Sequence, residues 1–396
     1  MAASPKLPPF DPADPLGIDD LLDPEDLAIR DTVRTWAADR VLPYVAEWYE
    51  KGELPGIRDL ARELGGIGAL GMSLDGYGCA GASAVQYGLA CLELEAADSG
   101  IRSLVSVQGS LAMYAIHRFG SEEQKQAWLP RMASGDVIGC FGLTEPDHGS
   151  DPAGMRTYAK RDAGDWVLNG RKMWITNGSV AGVAVVWAQT DDGIRGFVVP
   201  TDTAGFSAPE IKHKWSLRAS VTSELVLDDV RLPADAVLPE VVGLKGPLSC
   251  LSHARYGIVW GAMGAARASF ESAVAYAKTR EQFGRPIGGF QLTQAKLADM
   301  AVELHKGILL AHHLGRRMDA GRLRPEQVSF GKLNNVREAI EICRTARTIL
   351  GANGISLEYP VMRHATNLES VLTYEGTVEM HQLVLGKALT GLDAFR

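Results

Sequence analysis

The chain has 396 residues, 46% of them hydrophobic and 22% charged, which is an ordinary globular composition with room for two or three packed units. Its formal net charge of −8 argues against a dedicated nucleic-acid binder. No apolar run in the sequence is long enough to span a bilayer, so we expect neither a nucleic-acid partner nor a membrane span.

The first residues, "MAASPKLPPFDPADPLG", are rich in proline and aspartate, and they predict an extended arm. They lack the patterns of a secretion signal and of a transit peptide. The five cysteines are scattered and form no CxxC pair, which is typical of a reducing compartment and indicates no structural zinc. The sequence therefore predicts a cytoplasmic protein without a metal site.

Apolar residues at helical spacing predict helices through the first third of the chain. Asp23 is the expected N-cap of the first helix. A second helix is predicted in "IRDLARELGGIGALG" and a third in "ASAVQYGLACLELEAADSG", the latter closed by Gly100. Further along, Ser121 and Gln124 have the spacing of a capping box.

Short β-rich runs replace the helical pattern near residue 137, and Asn169-Gly170 and "DDG" at 191–193 are hairpin-turn patterns. Long amphipathic segments with short loops return near residue 246 and predict a four-helix bundle. The sequence therefore predicts an α+β multidomain fold, consisting of an N-terminal α-helical domain (1–136), a middle antiparallel β-barrel domain (137–245) and a C-terminal four-helix bundle (246–396).

Two motifs of the β segment could bind a ligand, although each has a plain structural explanation. In "CFGLTEPDHGSD" the hydroxyls of Thr144 and Ser150 lie among small residues that allow close backbone approach, but an ordinary barrel loop also fits. In "GRKMWITNG" the indole of Trp174 could lie against a flat ring with Thr176 at its edge, or it could fill the barrel core.

Two helix ends in the C-terminal part could likewise bind a ligand or have a plain structural explanation. Arg280 in "TREQFGRPI" suits a pyrophosphate, because its guanidinium can donate to two oxygens, or it interacts with the helix dipole. The two glycines of "TILGANGI" could border a ligand or form a plain glycine C-cap.

"TYEGT" at 373–377 places one carboxylate, Glu375, between apolar flanks. Apolar packing raises the pKa of a carboxyl group and makes it a useful base. The alternative is a helix N-cap region in which Thr373 or Thr377 caps the helix and Glu375 lies in solvent.

"SGIRSLVSVQGS" places Arg102, Ser103 and Ser106 on one helical face, with Glu95 seven residues before Arg102. An arginine with two hydroxyls is a good carboxylate pocket, and Glu95 could brace it. A solvated arginine is the alternative.

In combination, these motifs and the α–β–α order resemble the acyl-CoA dehydrogenase family, from about residue 20 to the end. They are "LTEPxxGSD", "KxWITN" (172–177), "RxQFG" (280–284), "LGxNG" (350–354) and "YEGT" (374–377). Within the family, "SGIRSLVSVQ", "ARYGIVWG" and "NLESVLTYEGT" resemble the glutaryl-CoA dehydrogenases. Ala352 and Met173 are small departures that do not affect the expected chemistry.

The resemblance implies FAD as the cofactor, bound between the middle domain and the bundle. The residues expected to contact FAD in the same chain are Phe141, Leu143, Thr144, Ser150, Trp174, Ile175, Thr176 and Thr377. Those expected to reach the FAD of a neighbouring subunit are Arg280, Phe283, Gln291, Leu350 and Gly351. Such sharing implies an oligomer, which in this family is usually a homotetramer.

The resemblance also implies that Glu375 removes the α-proton of an acyl-CoA thioester while the β-hydrogen leaves as hydride. The other residues expected to contact substrate are Arg102, Ser103 and Ser106 at its free carboxylate, Ser150 at the CoA arm, Leu251 and Arg255 beside the thioester and pantetheine, and Tyr374 and Gly376 beside the base. The implied reaction converts glutaryl-CoA to crotonyl-CoA and CO2, with an electron-transferring flavoprotein as the electron acceptor.

Other functions remain open at this stage. A dehydrogenase of another short-chain acyl-CoA is disfavoured by Arg102, because an unpaired arginine in an apolar pocket is costly. A glutaryl-CoA dehydrogenase that does not decarboxylate is hardly separable by sequence, and the presence of Glu95 mildly favours the full reaction. An acyl-CoA oxidase is disfavoured by the short chain, and a non-catalytic flavin- or CoA-binding scaffold by Glu375. We assign no role to His148, His312 or His313.

Overall fold

The computed structural model of the protein describes residues 10–394; the first part of the predicted arm, residues 1–9, lies outside this range. The N-terminal helices are α1 (Pro24–Arg40), α2 (Val45–Lys51), α3 (Ile57–Gly66), α4 (Ala84–Ala97), α5 (Ser99–Ser106), a π-helical segment (Val107–Met113), α6 (Tyr114–Phe119) and α7 (Glu122–Ala133).

Two predicted helix starts are confirmed by their side-chain hydrogen bonds. Asp23 caps α1 by accepting from the backbone N–H groups of Glu25 and Asp26, each at 2.9 Å. Ser121 and Gln124 form the expected capping box of α7, with Gln124 N 3.3 Å from Ser121 Oγ and Ser121 N 3.0 Å from Gln124 Oε1. Both patterns depend on residues three apart in the chain, which is why the sequence alone reveals them.

The middle part is one curled sheet. Its strands are β1 (Gly139–Gly142), β2 (Tyr158–Asp162), β3 (Asp165–Thr176), β4 (Val183–Thr190), β5 (Gly193–Pro200), β6 (Phe206–Ser207) and β7 (Thr222–Leu232). The strand order is β1-β4-β2-β3-β7-β6, with β5 paired to β4. Apolar side chains of β1, β3, β4, β5 and β7 fill its interior.

The sheet is mixed rather than purely antiparallel. The pairs β2–β3, β3–β7, β4–β5 and β6–β7 are antiparallel as predicted, but β1 pairs β4 in parallel, with Phe141 opposite Val185, and β2 also meets β4 in parallel. A parallel pair needs a long connection, and here the β2–β3 hairpin lies between β1 and β4 in the chain.

One of the two predicted hairpin turns is wrong. "DDG" does connect β4 to β5, but Asn169-Gly170 lies inside β3, where the register with β7 shifts between Leu168 and Gly170. The β2–β3 turn is instead Ala163-Gly164, where both residues have positive φ. A Cβ on Gly170 would lie 2.6 Å from Thr157 Cα, so the glycine is needed for close packing of strands.

The C-terminal part is helical, with one small hairpin. Its elements are α8 (Lys245–Thr279), β8 (Glu281–Gln282), β9 (Arg285–Pro286), α9 (Gln291–Asp319), α10 (Pro325–Leu350), α11 (Val361–Thr373) and α12 (Val378–Thr390). Helix α11 was not predicted, and no side-chain hydrogen bond caps its start. Helices α4 and α8 pack against each other, so that the first and last parts of the chain share one core.

A buried polar cluster links all three parts of the fold. Asp98 follows α4 and forms an ion pair with Arg363 of α11, and it accepts from Asn367 Nδ2 at 2.9 Å. The Oδ1 of Asn367 accepts from the backbone N–H of Leu217 in the middle part at 2.8 Å. Because Asp98 also begins α5, this cluster fixes the helix that carries Arg102.

The predicted fold class is confirmed: an N-terminal helical domain, a middle β domain and a C-terminal helical domain follow one another in the chain. The limits at residues 136 and 245 stay predictions. Within residues 10–394, no helix combines the length and the apolar character needed to cross a membrane.

Candidate active site

The junction of α4 and α5 turns Arg102 and its neighbours into the protein interior. Asp98, and not Gly100, ends α4; its Oδ1 accepts from Gly100 N at 2.7 Å and caps α5. The predicted closure at Gly100 is therefore wrong. Gly100 is required because a Cβ there would lie 2.2 Å from the carbonyl oxygen of Ala219.

Arg102 is 1% exposed and is held by two neighbours, Glu95 and Tyr374, that lie far from each other in the sequence. Its Nε donates to Glu95 Oε2 at 2.7 Å, and its Nη2 donates to the hydroxyl of Tyr374. Ser99 Oγ donates to the other oxygen of Glu95 at 2.8 Å. Burial alone would lower the pKa of Arg102, but Glu95 and Tyr374 hold it well above its ordinary value. The predicted brace by Glu95 is present, and the alternative of a solvated arginine is excluded.

The two serines of the predicted carboxylate pocket are buried beside Arg102. Ser103 Oγ lies 3.5 Å from the hydroxyl of Tyr374. Ser106 Oγ is buried and has no hydrogen-bond partner among the described residues. A buried hydroxyl without a partner is costly, so Ser106 suits a ligand that supplies one.

A glycine on α8 makes room for the Glu95–Arg102 pair. A Cβ on Gly261 would lie 2.0 Å from Glu95 Oε2 and 3.3 Å from Arg102 Nε. Sequence reasoning assigned nothing to Gly261, because this contact joins residues that are distant in the chain.

Glu375 directly follows Tyr374, whose hydroxyl accepts a hydrogen bond from Arg102. Its Oε2 is buried without a partner among the described residues, and its backbone has a φ of +52°, in the left-handed region. Burial raises the pKa of Glu375 against the opposing charges of Arg102, Lys332 and Arg255. The alternative in which Glu375 lies in solvent is wrong, although Thr377 does cap α12 by accepting from Met380 N at 3.4 Å.

Cationic side chains from two helices hold the backbone around Glu375. Arg255 Nε of α8 donates to the carbonyl oxygen of Glu375 at 2.6 Å. Lys332 Nζ of α10 donates to the carbonyl oxygen of Gly376 at 2.6 Å and to that of Tyr374. Gly376 has a φ of +104°, and a Cβ there would lie 2.9 Å from His381 Nε2. Lys332 was not found from the sequence, because its helical pattern is that of any bundle position.

The predicted flavin-contact residues of β1 and β3 lie on neighbouring parts of the sheet. The side chains of Phe141 and Leu143 are 7% and 6% exposed in an apolar cluster against which Leu251 packs. Burial of these side chains favours contact with a ligand through the backbone. The half-buried Thr144 accepts from Met173 N at 2.9 Å, which joins the end of β1 to the bulge of β3.

Trp174 lies in that bulge and fits a flat ligand. The register of β3 shifts between Lys172 and Ile175, and Trp174 has a φ of +63°. Its indole is 60% exposed, whereas the side chain of Ile175 is 4% exposed. Trp174 is therefore not barrel core, and an exposed indole with the half-buried Thr176 beside it suits an aromatic ring system such as a flavin.

The residues predicted to reach a neighbouring subunit's cofactor differ in how exposed they are. Arg280, Gln291 and Gly351 are exposed at the ends of α8, α9 and α10. Phe283 is 95% exposed in the turn between β8 and β9. Leu350 is buried in the bundle. Ser150 is exposed in the loop after β1. The exposure of the first four suits contact with another subunit, and their roles stay predictions.

Family comparisons cover nearly all of the described chain. Three family models match this chain. They are described as "Acyl-CoA dehydrogenase, N-terminal domain" (residues 23–136), "Acyl-CoA dehydrogenase, middle domain" (140–230) and "Acyl-CoA dehydrogenase, C-terminal domain" (242–390). The short-chain specific acyl-CoA dehydrogenase of Homo sapiens mitochondria is 39% identical over 73% of this chain and 71% of its own length.

Solved structures agree with this relationship. A glutaryl-CoA dehydrogenase from Mycobacterium smegmatis is 72% identical, with 97% of this chain and 99% of that chain covered and a TM-score of 0.95. Another glutaryl-CoA dehydrogenase from the same organism, in complex with FADH2, is 65% identical over 98% and 100% of the two chains, with a TM-score of 0.96. A chain of a structure described as the electron transferring flavoprotein of Acidaminococcus fermentans is 33% identical over 93% and 98%, with a TM-score of 0.90. The chain therefore belongs to the acyl-CoA dehydrogenase family.

Proposed function

We propose that this acyl-CoA dehydrogenase oxidises glutaryl-CoA at its α and β carbons and decarboxylates the product to crotonyl-CoA. The observation that carries the proposal is the buried Arg102, which Glu95 holds at 2.7 Å and which also donates to the hydroxyl of Tyr374. Arg102 thereby presents a fixed cation in contact with Tyr374, the residue directly before Glu375 in the chain. A fixed guanidinium favours a substrate with a second carboxylate.

The pocket beside Arg102 supports this substrate class. The unpartnered Ser106 Oγ and the hydroxyl of Ser103 would add donors to the free carboxylate of the substrate. A monocarboxylic acyl chain would leave these polar groups without partners, which costs about 1–3 kcal/mol for each. This difference favours a dicarboxylic monothioester over a short apolar acyl group.

Glu375 is the proposed base. Burial raises the pKa of Glu375 towards the working pH, and a base is most effective when its pKa is near that pH. It would take the α-proton, while the backbone N–H of Glu375 donates to the thioester oxygen on which negative charge develops. Tyr374 and Gly376 would border the acyl chain, and Leu251 and Arg255 of α8 would flank the thioester and pantetheine.

The acyl-CoA dehydrogenase family uses FAD, so the predicted cofactor is confirmed for the family. When bound, FAD supplies a two-electron acceptor for the β-hydrogen, which leaves with its electron pair. Trp174, Ile175 and Thr176, the backbone of Phe141 to Thr144, Ser150 and Thr377 are the residues that would hold it. The exposed indole of Trp174 is the feature that best fits the isoalloxazine ring.

The decarboxylation requires no further residue of the chain. Loss of the α-proton and β-hydride leaves a carbon–carbon double bond in glutaconyl-CoA. Its carboxylate is carried by the γ carbon next to that bond, which makes it the vinylogous counterpart of a β-keto acid. Release of CO2 passes the electron pair into a thioester dienolate. Protonated Glu375 would return its proton to the γ carbon and give crotonyl-CoA. Arg102 would keep the carboxylate in place until CO2 leaves.

The partners are part of the same proposal. We infer an electron-transferring flavoprotein as the electron acceptor, in keeping with the family and with one structural relative that bears that description. A homotetramer would bring Arg280, Phe283, Gln291, Leu350 and Gly351 to a neighbouring subunit's cofactor. A cytoplasmic location rests on the sequence pattern alone.

Anaerobic addition of glutaryl-CoA tests the function directly. We expect the flavin colour to bleach and crotonyl-CoA and CO2 to appear by mass spectrometry, with both signals lost in Glu375→Gln. Bleaching that stops at glutaconyl-CoA would keep the base and the substrate and remove the decarboxylation. The paired variant Glu95→Gln/Arg102→Met should lose glutaryl-CoA oxidation.

The second candidate is oxidation of a short-chain monocarboxylic acyl-CoA. The 39% identity to the human short-chain enzyme favours it, since both chains align over most of their lengths. Bleaching by butyryl-CoA, with none by glutaryl-CoA, would establish this function and contradict the role of Arg102.

A further inference from the structure

Lys332 is a buried lysine of α10, and the proposed reaction gives it no role. Its side chain is 2% exposed, and its Nζ donates to the carbonyl oxygens of Tyr374 and Gly376. We propose that Lys332 is a positioning residue, which fixes and polarises the peptide that carries Glu375 and thereby strengthens proton removal from the substrate. This inference rests on the proposed role of Glu375.

The first support is the backbone conformation. Glu375 and Gly376 both have positive φ, +52° and +104°, and a non-glycine residue in that region is strained by about 1 kcal/mol or more. Such a conformation persists only where the surroundings impose it. Lys332 holds the carbonyls before and after Glu375, and Arg255 holds the carbonyl of Glu375 itself. The turn is thus clamped from α8 and from α10.

The second support is the geometry of one peptide bond. The carbonyl of Tyr374 and the N–H of Glu375 belong to the same planar trans peptide and point in opposite directions. An ammonium bound to that carbonyl polarises the peptide and makes the N–H on the other side a stronger donor. This N–H is the one proposed to bind the thioester oxygen. Lys332 would therefore act on the substrate through the peptide without touching it.

The third support is the cost of placing a lysine there. Burial lowers the pKa of Lys332 to about 7, with Glu375 opposing this effect and Arg255 and Arg102 adding to it. If only packing were required, methionine or leucine would fill the position without a desolvation cost. A cation retained beside two other cations needs acceptors to stabilise it, and Lys332 donates to two carbonyl oxygens.

The titratable groups that face Lys332 come from the turn and from several helices. They are Glu375 and Tyr374 on the turn, Arg255 on α8, Arg102 with Glu95 at the α4–α5 junction, and His381 on α12. Burial lowers the pKa of His381 to about 3, so its ring is neutral near pH 7. Lys332 and Arg255 are two cations that donate to the backbone of the turn, and loss of the Lys332 charge should raise the pKa of Glu375.

The test measures the rate of anaerobic flavin bleaching in the holoenzyme, across pH and acyl-CoA concentration, with the acyl-CoA that the wild type oxidises fastest. In Lys332→Met we expect the maximal rate to fall about tenfold to a hundredfold, with the half-saturating concentration changed by less than about threefold. The acid limb of the rate profile should move up by about one pH unit. The matched control is Lys306→Met, which removes an exposed lysine of α9 paired with Glu303 and should leave all three quantities unchanged.

The outcomes separate this inference from the proposed function. Wild-type rates in Glu375→Gln would refute the base and, with it, the role of Lys332. A dead Glu375→Gln together with a Lys332→Met enzyme that keeps the wild-type rate and acid limb would overturn the role of Lys332 alone. If Lys332→Met does not fold, Lys332→Arg should retain more activity and a lower acid limb than Lys332→Gln; equal rates in these two variants would also overturn it.

Discussion

The substitution Gly261→Ala tests whether the fixed geometry of the Glu95–Arg102 pair sets substrate choice. A Cβ at Gly261 would lie 2.0 Å from Glu95 Oε2, so the carboxylate would have to move by about 1.5 Å to reach ordinary contact distance. Glu95 is 0% exposed and is held by Arg102 at 2.7 Å and by Ser99 at 2.8 Å. Such a movement would break at least one of these bonds.

The expected magnitude follows from two opposing effects. Alanine in place of glycine inside a helix stabilises by about 0.5–1 kcal/mol. Separation of a buried ion pair destabilises by about 3–5 kcal/mol, because the charges remain buried without compensation. The net loss in the free energy of unfolding should therefore be about 2–4 kcal/mol. The control is Gly386→Ala on α12, where no atom lies within 4 Å of the added Cβ, and which should be neutral or stabilising.

The assay combines urea unfolding with steady-state kinetics on two substrates. In Gly261→Ala, kcat/KM for glutaryl-CoA should fall at least about tenfold more than kcat/KM for butyryl-CoA, since only the dicarboxylic substrate uses the aligned guanidinium. A Gly261→Ala enzyme with the stability of Gly386→Ala and unchanged discrimination would refute the reasoning. Equal losses on both substrates would indicate a general disturbance of α8 and would also contradict it.

Two more predictions concern an ionisable core residue and the flavin surface. Burial lowers the pKa of His253 from 6.5 to about 4, so the unfolded chain binds this proton more readily and stability should fall as pH drops from 6.5 to 4, by up to roughly 3 kcal/mol. His253→Asn should flatten the decline of the urea midpoint over that window, and an unchanged decline would contradict this assignment. Trp174→Ala should lower FAD affinity while changing the free energy of unfolding by less than about 0.5 kcal/mol. Trp215→Ala, which removes an indole that is 88% exposed, serves as the control, and equal flavin loss in both variants would refute the flavin contact.

Features encoded by neighbouring residues were predictable from the sequence. The N-cap at Asp23 and the capping box of Ser121 and Gln124 depend on side chains that reach three residues along the chain, and both are confirmed. The Asn169-Gly170 turn failed for the opposite reason. Its dipeptide favours a tight turn, but pairing of β3 with β2 and β7 overrides that preference and uses the glycine for close strand contact.

In the candidate site, too, residues marked by local sequence patterns were predicted and residues defined by distant contacts were not. Glu375, Arg102 and the supporting Glu95 were found because motif order and helical spacing mark them. Lys332 and Gly261 were not found, because nothing in the sequence of α10 or α8 reveals which side chain meets the turn at Glu375 or the pair at Glu95. Contacts between distant segments decide both positions.

The bond from Arg102 to the hydroxyl of Tyr374 has a consequence for how such an enzyme can diversify. The side chain that would select the substrate and the base that would activate it meet through adjacent residues, Tyr374 and Glu375. A lineage that replaced Arg102 alone would leave Glu95 as a buried, uncompensated anion and would free the tyrosine beside the base. Passage to a monocarboxylic substrate therefore requires changes at Glu95 and Arg102 together, with a poorly folding intermediate if they occur one at a time. Epistasis of this kind preserves specificity for the dicarboxylic acyl-CoA over long evolutionary times, even where a different acyl-CoA is the more abundant substrate.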